Sequence, residues 1–313
     1  MRQFALILCL MTAPFAAMAK DAVNLAPRFT VGQNLEYSTL LECKVDQKLY
    51  PPCEMDMSYL AFLGLDTKIN VVNISEDLST SLQITLVNPQ IRFSLKGAAA
   101  GGFNFNMDFD STKNDETPNN PLQFLAQVAD CLDDVQFFVV VDANGQVSEV
   151  TGLDSINEKI DTVCGVLISN EIKDQISTFV DSEIPTQFIG TLTSYIPEHS
   201  VHVGDNWKKT FDFLPGYEEN WIFSNDQGNT LVLKNEQIFT KENLEGVLDA
   251  FSSEIHEFDG TLSDIVELEK GTHILSSARG EVEYESEQTV SEPVSMKSDS
   301  KIKLNFLIKR TCR

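Results

Sequence analysis

Phe103-Asn104-Phe105-Asn106-Met107-Asp108-Phe109-Asp110 alternates without a break, placing three aromatic rings and a methionine on one side of an extended chain and amides and carboxylates on the other. A strand of this kind belongs to an antiparallel sheet with one buried and one wet face. Upstream, Leu82, Ile84 and Leu86, then Ile91, Phe93 and Leu95, repeat the alternation on either side of Asn88-Pro89, which reads as a turn. Strand character extends back to about Asn34. Downstream, Ser111 to Asn120 lacks any period and reads as an exposed loop.

Past that loop the period changes. Leu122, Leu125, Val128, Ala129 and Leu132 recur at helical spacing behind Pro121, which suits a first helical turn. Ile156, Ile160, Val163, Cys164 and Leu167 mark a second helix, Ile172, Ile176, Phe179 and Val180 a third, and Thr186 to Tyr195 a fourth that stops at Pro197. Between the first two lies an apolar run, Val135 to Val141, followed by Asp142-Ala143-Asn144-Gly145, a hairpin turn into Gln146 to Thr151. Strands return at Asn206 to Phe213, Trp221 to Phe223, Thr230 to Leu233, Ile274 to Ser276, Gly280 to Glu287 and Lys301 to Lys309, with a short helix at about 241 to 252. The order predicts an α+β protein: a large curved antiparallel sheet, half-barrel in form, with helices from the middle of the chain packed on one face.

The chain has 313 residues, and 47 acidic against 23 basic side chains give it a formal net charge of −24. The excess is dispersed. It argues against nucleic acid and against anionic membrane surfaces, because phosphates are repelled before contact forms. The first nineteen residues, MRQFALILCLMTAPFAAMA, carry a basic Arg2, an apolar run from Phe4 to about Pro14 and an Ala17-Met18-Ala19 cleavage pattern. They predict a signal peptide at 1–19 and a single exported domain at 20–313, with a helical segment at about 121–196, in the periplasm or outside the cell. No later stretch is apolar enough to span a bilayer.

An oxidising compartment makes disulfides the expected state of cysteine. Cys43 and Cys53 flank Tyr50-Pro51-Pro52 and suit a bridge across a turn; Cys131 and Cys164 sit on consecutive helix candidates; Cys312 is left over. Other pairings stay open. The spacing offers no metal site, with no C-x-x-C and no histidine at ligand distance.

Catalytic signatures are absent from the sequence. His199 and His202 fall on an extended connector and point to opposite faces, and His256-Glu257 lacks the second histidine of a zinc protease motif. Asp108 and Asp110 share a face but belong to the wet side of their strand, while the runs Asp133-Asp134 and Glu218-Glu219 are what an acidic composition produces. Asp142-Ala143-Asn144-Gly145 opens like a calcium loop, yet Leu153 stands where a bidentate glutamate is needed. Ala98 to Gly102 lacks the lysine and helix of a phosphate loop and reads as a sheet bend. No cofactor is expected.

Four segments resemble an uncharacterised family of exported bacterial β-rich proteins. Phe29, Gly32 and Tyr37 fit F-x-x-G-x-x-x-x-Y; Val141 to Val147 matches its hairpin; Pro197, Val201 and Val203-Gly204-Asp205-Asn206-Trp207 match P-x-x-x-V-x-V-G-D-x-W; Gly280-Glu281-Val282-Glu283-Tyr284 is similar to its closing strand. More distantly the chain resembles lipoprotein-carrier half-barrels, although it opens with a strand where those open with a helix. The resemblance implies an exported β-rich domain and no particular activity. The amphipathic helices at 122 to 196 set beside a Phe-rich sheet, a combination that can line a cavity, lead to the expectation of a non-enzymatic protein that holds an apolar or lipid-like ligand. Two other roles compete: an envelope-associated interaction or structural protein, and a hydrolase working through dispersed carboxylates.

Overall fold

The computed structural model describes residues 22–51, 54–113, 124–154, 193–210, 218–242, 254–290 and 296–311, with a few single positions between 156 and 190. Its elements are β1 (Asn34–Leu49), β2 (Met55–Ile74), β3 (Thr80–Ala99), β4 (Phe103–Asp110), α1 (Phe124–Leu132), β5 (Gln136–Val141), β6 (Val147–Thr151), β7 (Asn206–Thr210), β8 (Glu218–Gln227), β9 (Thr230–Thr240), β10 (Glu254–Glu269), β11 (Leu275–Val290) and β12 (Met296–Arg310). The strands form one open antiparallel sheet in the order β6-β5-β3-β2-β1-β12-β11-β10-β9-β8-β7, with β4 alongside β3. The first and last strands meet at the centre, from Tyr37 opposite Arg310 to Leu49 opposite Ser298.

The structure is thus nearly all-β, and the expected α+β architecture is incorrect. Among the described residues no helix covers the sheet between β4 and β9, while Ile156 and Ile189, both helical, pack against the cluster on the β3–β5 wing. The described helix, α1, fills the gap beside β3 where β4 ends and β5 begins. The helices expected near 156–180 and 241–252 fall mostly outside the described residues, although Ile156, Glu158 and Lys159 are helical; of the one expected at 186–195, Thr186, Ile189 and Gly190 are helical and Thr193 to Tyr195 form turns. The helical spacing of Leu125, Val128, Ala129 and Leu132 is realised in α1, but periodicity identifies an element and not the surface on which it packs.

Asn88-Pro89 is not a turn. β3 runs straight through it, and Gly64 opposite Gln90 with Asp66 opposite Val87 leaves Leu65 facing both Asn88 and Pro89, a β-bulge. Asn88 takes φ +52 there, and its N–H donates to the Asp133 carboxylate at 2.9 Å. The bulge marks the point where β3 changes partner, from β5 at Thr80–Thr85 to β4 at Arg92–Ala99. Ala98 to Gly102 is the hairpin between β3 and β4, not a bend within a strand; Gly101 and Gly102 supply the positive φ that the turn needs. β10 is a strand the sequence reading lacked.

One end of the sheet is closed by connecting chain. Val23 forms an isolated antiparallel bridge with Val201, and Leu25 is fully buried among Val201, Trp207, Trp221, Phe223, Leu231 and Leu233. On the other wing Val71, Leu82, Val135, Phe137, Val139 and Val141 form a second cluster, against which Phe29 packs. The segment from Val23 to Phe29 therefore touches the cores of both wings and holds that end of the sheet curled. The Asp142–Gln146 hairpin turn docks on it: the Asp142 carboxylate accepts from the N–H groups of Asn144 at 2.8 Å and Gln146 at 2.9 Å. Gly145 at φ +85 has no room for a side chain, since a Cβ would stand 2.7 Å from Pro27 and 2.9 Å from Ile196. Gly145→Ala is expected to cost about 1–3 kcal/mol through left-handed strain and overpacking, read as a lowered urea midpoint.

Candidate functional site

Residues directly opposed on antiparallel strands share a face, so the register sorts the sheet into two surfaces. One row runs Met107, Leu95, Tyr59, Val45, Ile302, Tyr284, Gly260, Phe239 from β4 to β9. The next runs Phe109, Phe93, Ala61, Cys43, Leu304, Val282, Leu262. Apolar side chains thus cover eight strands on a single face. Val45 is buried, but Tyr59, Phe93, Leu95, Ile302, Leu304, Val282 and Tyr284 are only half-buried, and Phe103 at the rim is 65% exposed.

Aromatic rings converge on this floor. Tyr59 stacks on Phe93 with centroids 6.5 Å apart, and Phe258 tilts against Tyr284 at 5.1 Å. Burial pushes the Tyr59 and Tyr284 hydroxyls and the Cys43 thiol above their ordinary ranges, the signature of an apolar setting. Gly97, Gly260 and Gly280 take positions on this face where a side chain would collide with Phe105, Tyr284 and Phe306 respectively, so rings from adjacent strands lie over bare backbone.

The opposite face is charged. Lys301 Nζ sits 2.9 Å from Glu283 and 2.8 Å from Glu285, Lys303 2.8 Å from Glu281, and Lys297 2.7 Å from Glu287, a ladder along β11 and β12 that fits their register. Each pair is exposed and contributes little singly. A cleft of about 1260 Å³ takes in two entire rows of this face, including Lys96, Asp46, Lys301 and Glu285, and reaches Met57, Phe105, Phe239 and Tyr284 of the other. Charges of both signs line it together with the Phe105, Phe239 and Tyr284 rings.

The residues singled out in the sequence are dispersed. Asp108 accepts from Ser94 Oγ at 2.7 Å and Asn106 Nδ2 at 2.8 Å, and Asp110 from Thr112 Oγ1 at 2.6 Å, both on the wet face of β4. Those bonds hold both carboxyls below the usual range. His202 is exposed and pairs with Asp205 at 3.2 Å. Cys43 is a free thiol on the apolar face, six residues, or about 20 Å, along β1 from the Leu49–Met55 pair that closes the hairpin. Its expected partner Cys53 lies outside the described residues, as do Cys164 and Cys312. Cys131 is buried, its Sγ 3.7 Å from the Lys159 carbonyl. Among the described residues no group of three or more metal-ligating side chains assembles, and no helix is long and apolar enough to cross a membrane.

One polar cluster on the apolar face escaped the sequence reading. Asp264 of β10 faces Gly280 on one side and Asn235 on the other, in the row that continues to Phe306 and Leu41. Asn235 Nδ2 donates to its Oδ2 at 3.3 Å, and Gln237 Nε2 donates to Asn235 Oδ1 at 2.9 Å. The carboxyl is 7% exposed, and its pKa is pushed up to about 7 by burial and then by the negative charge of Glu219. Asp264, at the same parity as Phe258, Leu262, Val266 and Leu268, was the available signal.

These features define an open antiparallel β-sheet protein with one charged and one apolar face. Residues 90–272, more than half of the chain, match DUF6263, a family of unknown function, and the chain belongs to that family. No curated protein matches it in sequence. Among solved structures, a lipovitellin described for its lipid–protein interactions is similar over 88% of this chain at 9% identity and a TM-score of 0.41; this chain spans 25% of that one. The outer membrane protein OprG from Pseudomonas aeruginosa is similar over 93% of this chain and 100% of its own, at 5% identity and a TM-score of 0.23. Neither likeness is close enough to carry an argument.

Proposed function

We propose that the protein is an exported, non-enzymatic binder of an apolar or lipid-like molecule, which it holds against the apolar face between β4 and β9. One observation carries this reading: apolar rows continue across eight strands, yet most of their side chains stay half-exposed and, among the described residues, no helix is packed over them. A sheet face of that size costs free energy when left to water, at roughly 25 cal/mol per Å² of apolar surface. A ligand chain laid along it removes that cost. The signal-like first nineteen residues and the dispersed negative charge favour a role outside the cytoplasm, in the periplasm or beyond the cell.

Native mass spectrometry of the protein purified from its native host is the test. A mass increment that organic extraction releases as lipid is the expected result. A ligand-free protein that also takes up no uncharged fluorescent probe contradicts the reading.

A further inference from the structure

Asp264 occupies a position where a sheet of this kind has every reason to place an aliphatic side chain. Its neighbours along the strand, Leu262 and Val266, are buried apolar residues of the same face. Its Oδ1 is buried without a hydrogen-bond partner among the described residues and lies against the bare backbone of Gly280, beside the Phe306 ring. The partner on its other side, Asn235, is fully buried and already engaged by Gln237. The groups facing it are therefore Gly280 from β11, Phe306 from β12 and the neutral amides Asn235 and Gln237 from β9, while Glu219 lies on the same side of β8, two residues from Trp221, which stands opposite Asn235. Glu219 is the charged one, and it accepts a bond from Trp221 Nε1 at 2.9 Å. A neutral carboxyl fits this setting; a charged one, buried, has a single amide donor and the negative charge of Glu219 acting against it.

We propose that Asp264 and Glu219 form a proton-controlled latch in the β8–β11 wing: protonated, it keeps the apolar face around Gly280 and Phe306 closed, and deprotonated, it loosens that wing and weakens the hold on an apolar ligand. The second half of this inference rests on the function proposed above; the first half stands without it. The proton moves between the Asp264 carboxyl and solvent, and no other reactant is involved. The burial-raised pKa places the change near neutral pH, within reach of ordinary variation outside the cytoplasm.

Two readouts on the intact protein test it between pH 5.5 and 8.5: amide hydrogen exchange across β9–β11, corrected for intrinsic rate, and the affinity for N-phenyl-1-naphthylamine, which is uncharged in that range. The latch predicts that exchange in β10 and β11 accelerates and affinity falls roughly tenfold as pH rises through 7. Asp264→Asn should flatten both profiles. Glu219→Gln, whose amide oxygen still accepts from Trp221, should move the midpoint to lower pH, a shift that a purely structural role would not give. Exchange that is independent of pH in the native chain, or a midpoint unmoved by Glu219→Gln, overturns the latch whether or not the probe binds. A pH-dependent wing that binds no probe sustains the latch and removes the ligand.

Discussion

Replacing Phe223 with alanine is expected to lower the unfolding free energy by about 3–5 kcal/mol, while Ile222→Ala, one residue away, costs about 0.5 kcal/mol or less. Phe223 is 1% exposed at the centre of the cluster that joins β8, β9 and β10 to Leu25 and Val201. Its own N–H donates to the Asp205 carbonyl at 3.0 Å and its carbonyl accepts from Gly204 at 2.8 Å, so the residue pins the connector before β7 as well as the core. Truncation leaves a cavity between elements that backbone bonds prevent from collapsing. Ile222 points to the other face and is 38% exposed. Urea denaturation of both variants decides it; equal costs would mean that β8 does not present the faces its register assigns.

The second large effect is one of pH. Asp264 keeps its proton in the folded chain up to about pH 7, whereas in the unfolded chain it releases it near its ordinary value of about 4. Between those two values the fold binds more protons than the unfolded state, so this group's contribution is complete below pH 4, is lost as pH rises and levels off above 7. The full change is about 4 kcal/mol. The other shifted carboxyls, such as Asp108 and Glu269, are lowered and slope the opposite way, so the quantity to measure is the difference between the native chain and Asp264→Asn. The two proteins should be equally stable near pH 4, with the asparagine variant the more stable by several kcal/mol at pH 8. A difference that stays constant from pH 4 to 8 would contradict the assignment.

Much of the sheet is legible in the sequence, because side-chain alternation is the direct imprint of a strand with one wet face. β4 is an unbroken case, and the Asp142–Gly145 turn with its Asn-Gly pair fixes β5 and β6. What interrupts the alternation hides the rest. β10 carries Gly260 and Asp264 at inward positions, so its period fades, and both residues are there for reasons set by other strands: Tyr284 lies over the first and Gly280 makes room for the second. Asn88-Pro89 looks like a turn because it has turn chemistry, and only the pairing with Gly64 and Asp66 shows that chemistry used for a bulge. Strands of twenty residues such as β2 and β3 lie well beyond the usual five or six, which is why a reading by typical lengths cuts them. The closing segment around Leu25 carries no period at all; its burial depends on Val201 and Phe223, nearly two hundred residues away. The apolar face itself was foreseeable from Phe93, Phe105, Phe109 and Leu304, but not that the described residues would place no helix over it, because the helices were assigned to that place.

Photo-crosslinking tests the central claim most directly. The purified protein is incubated with a sixteen-carbon chain bearing a terminal diazirine, irradiated, and mapped by peptide mass spectrometry. Adducts concentrated on the apolar rows, at Tyr59, Cys43, Leu304 and Tyr284, are the predicted result. Adducts confined to the charged face around Lys96, Lys301 and Glu285, or spread evenly over both faces, would contradict it.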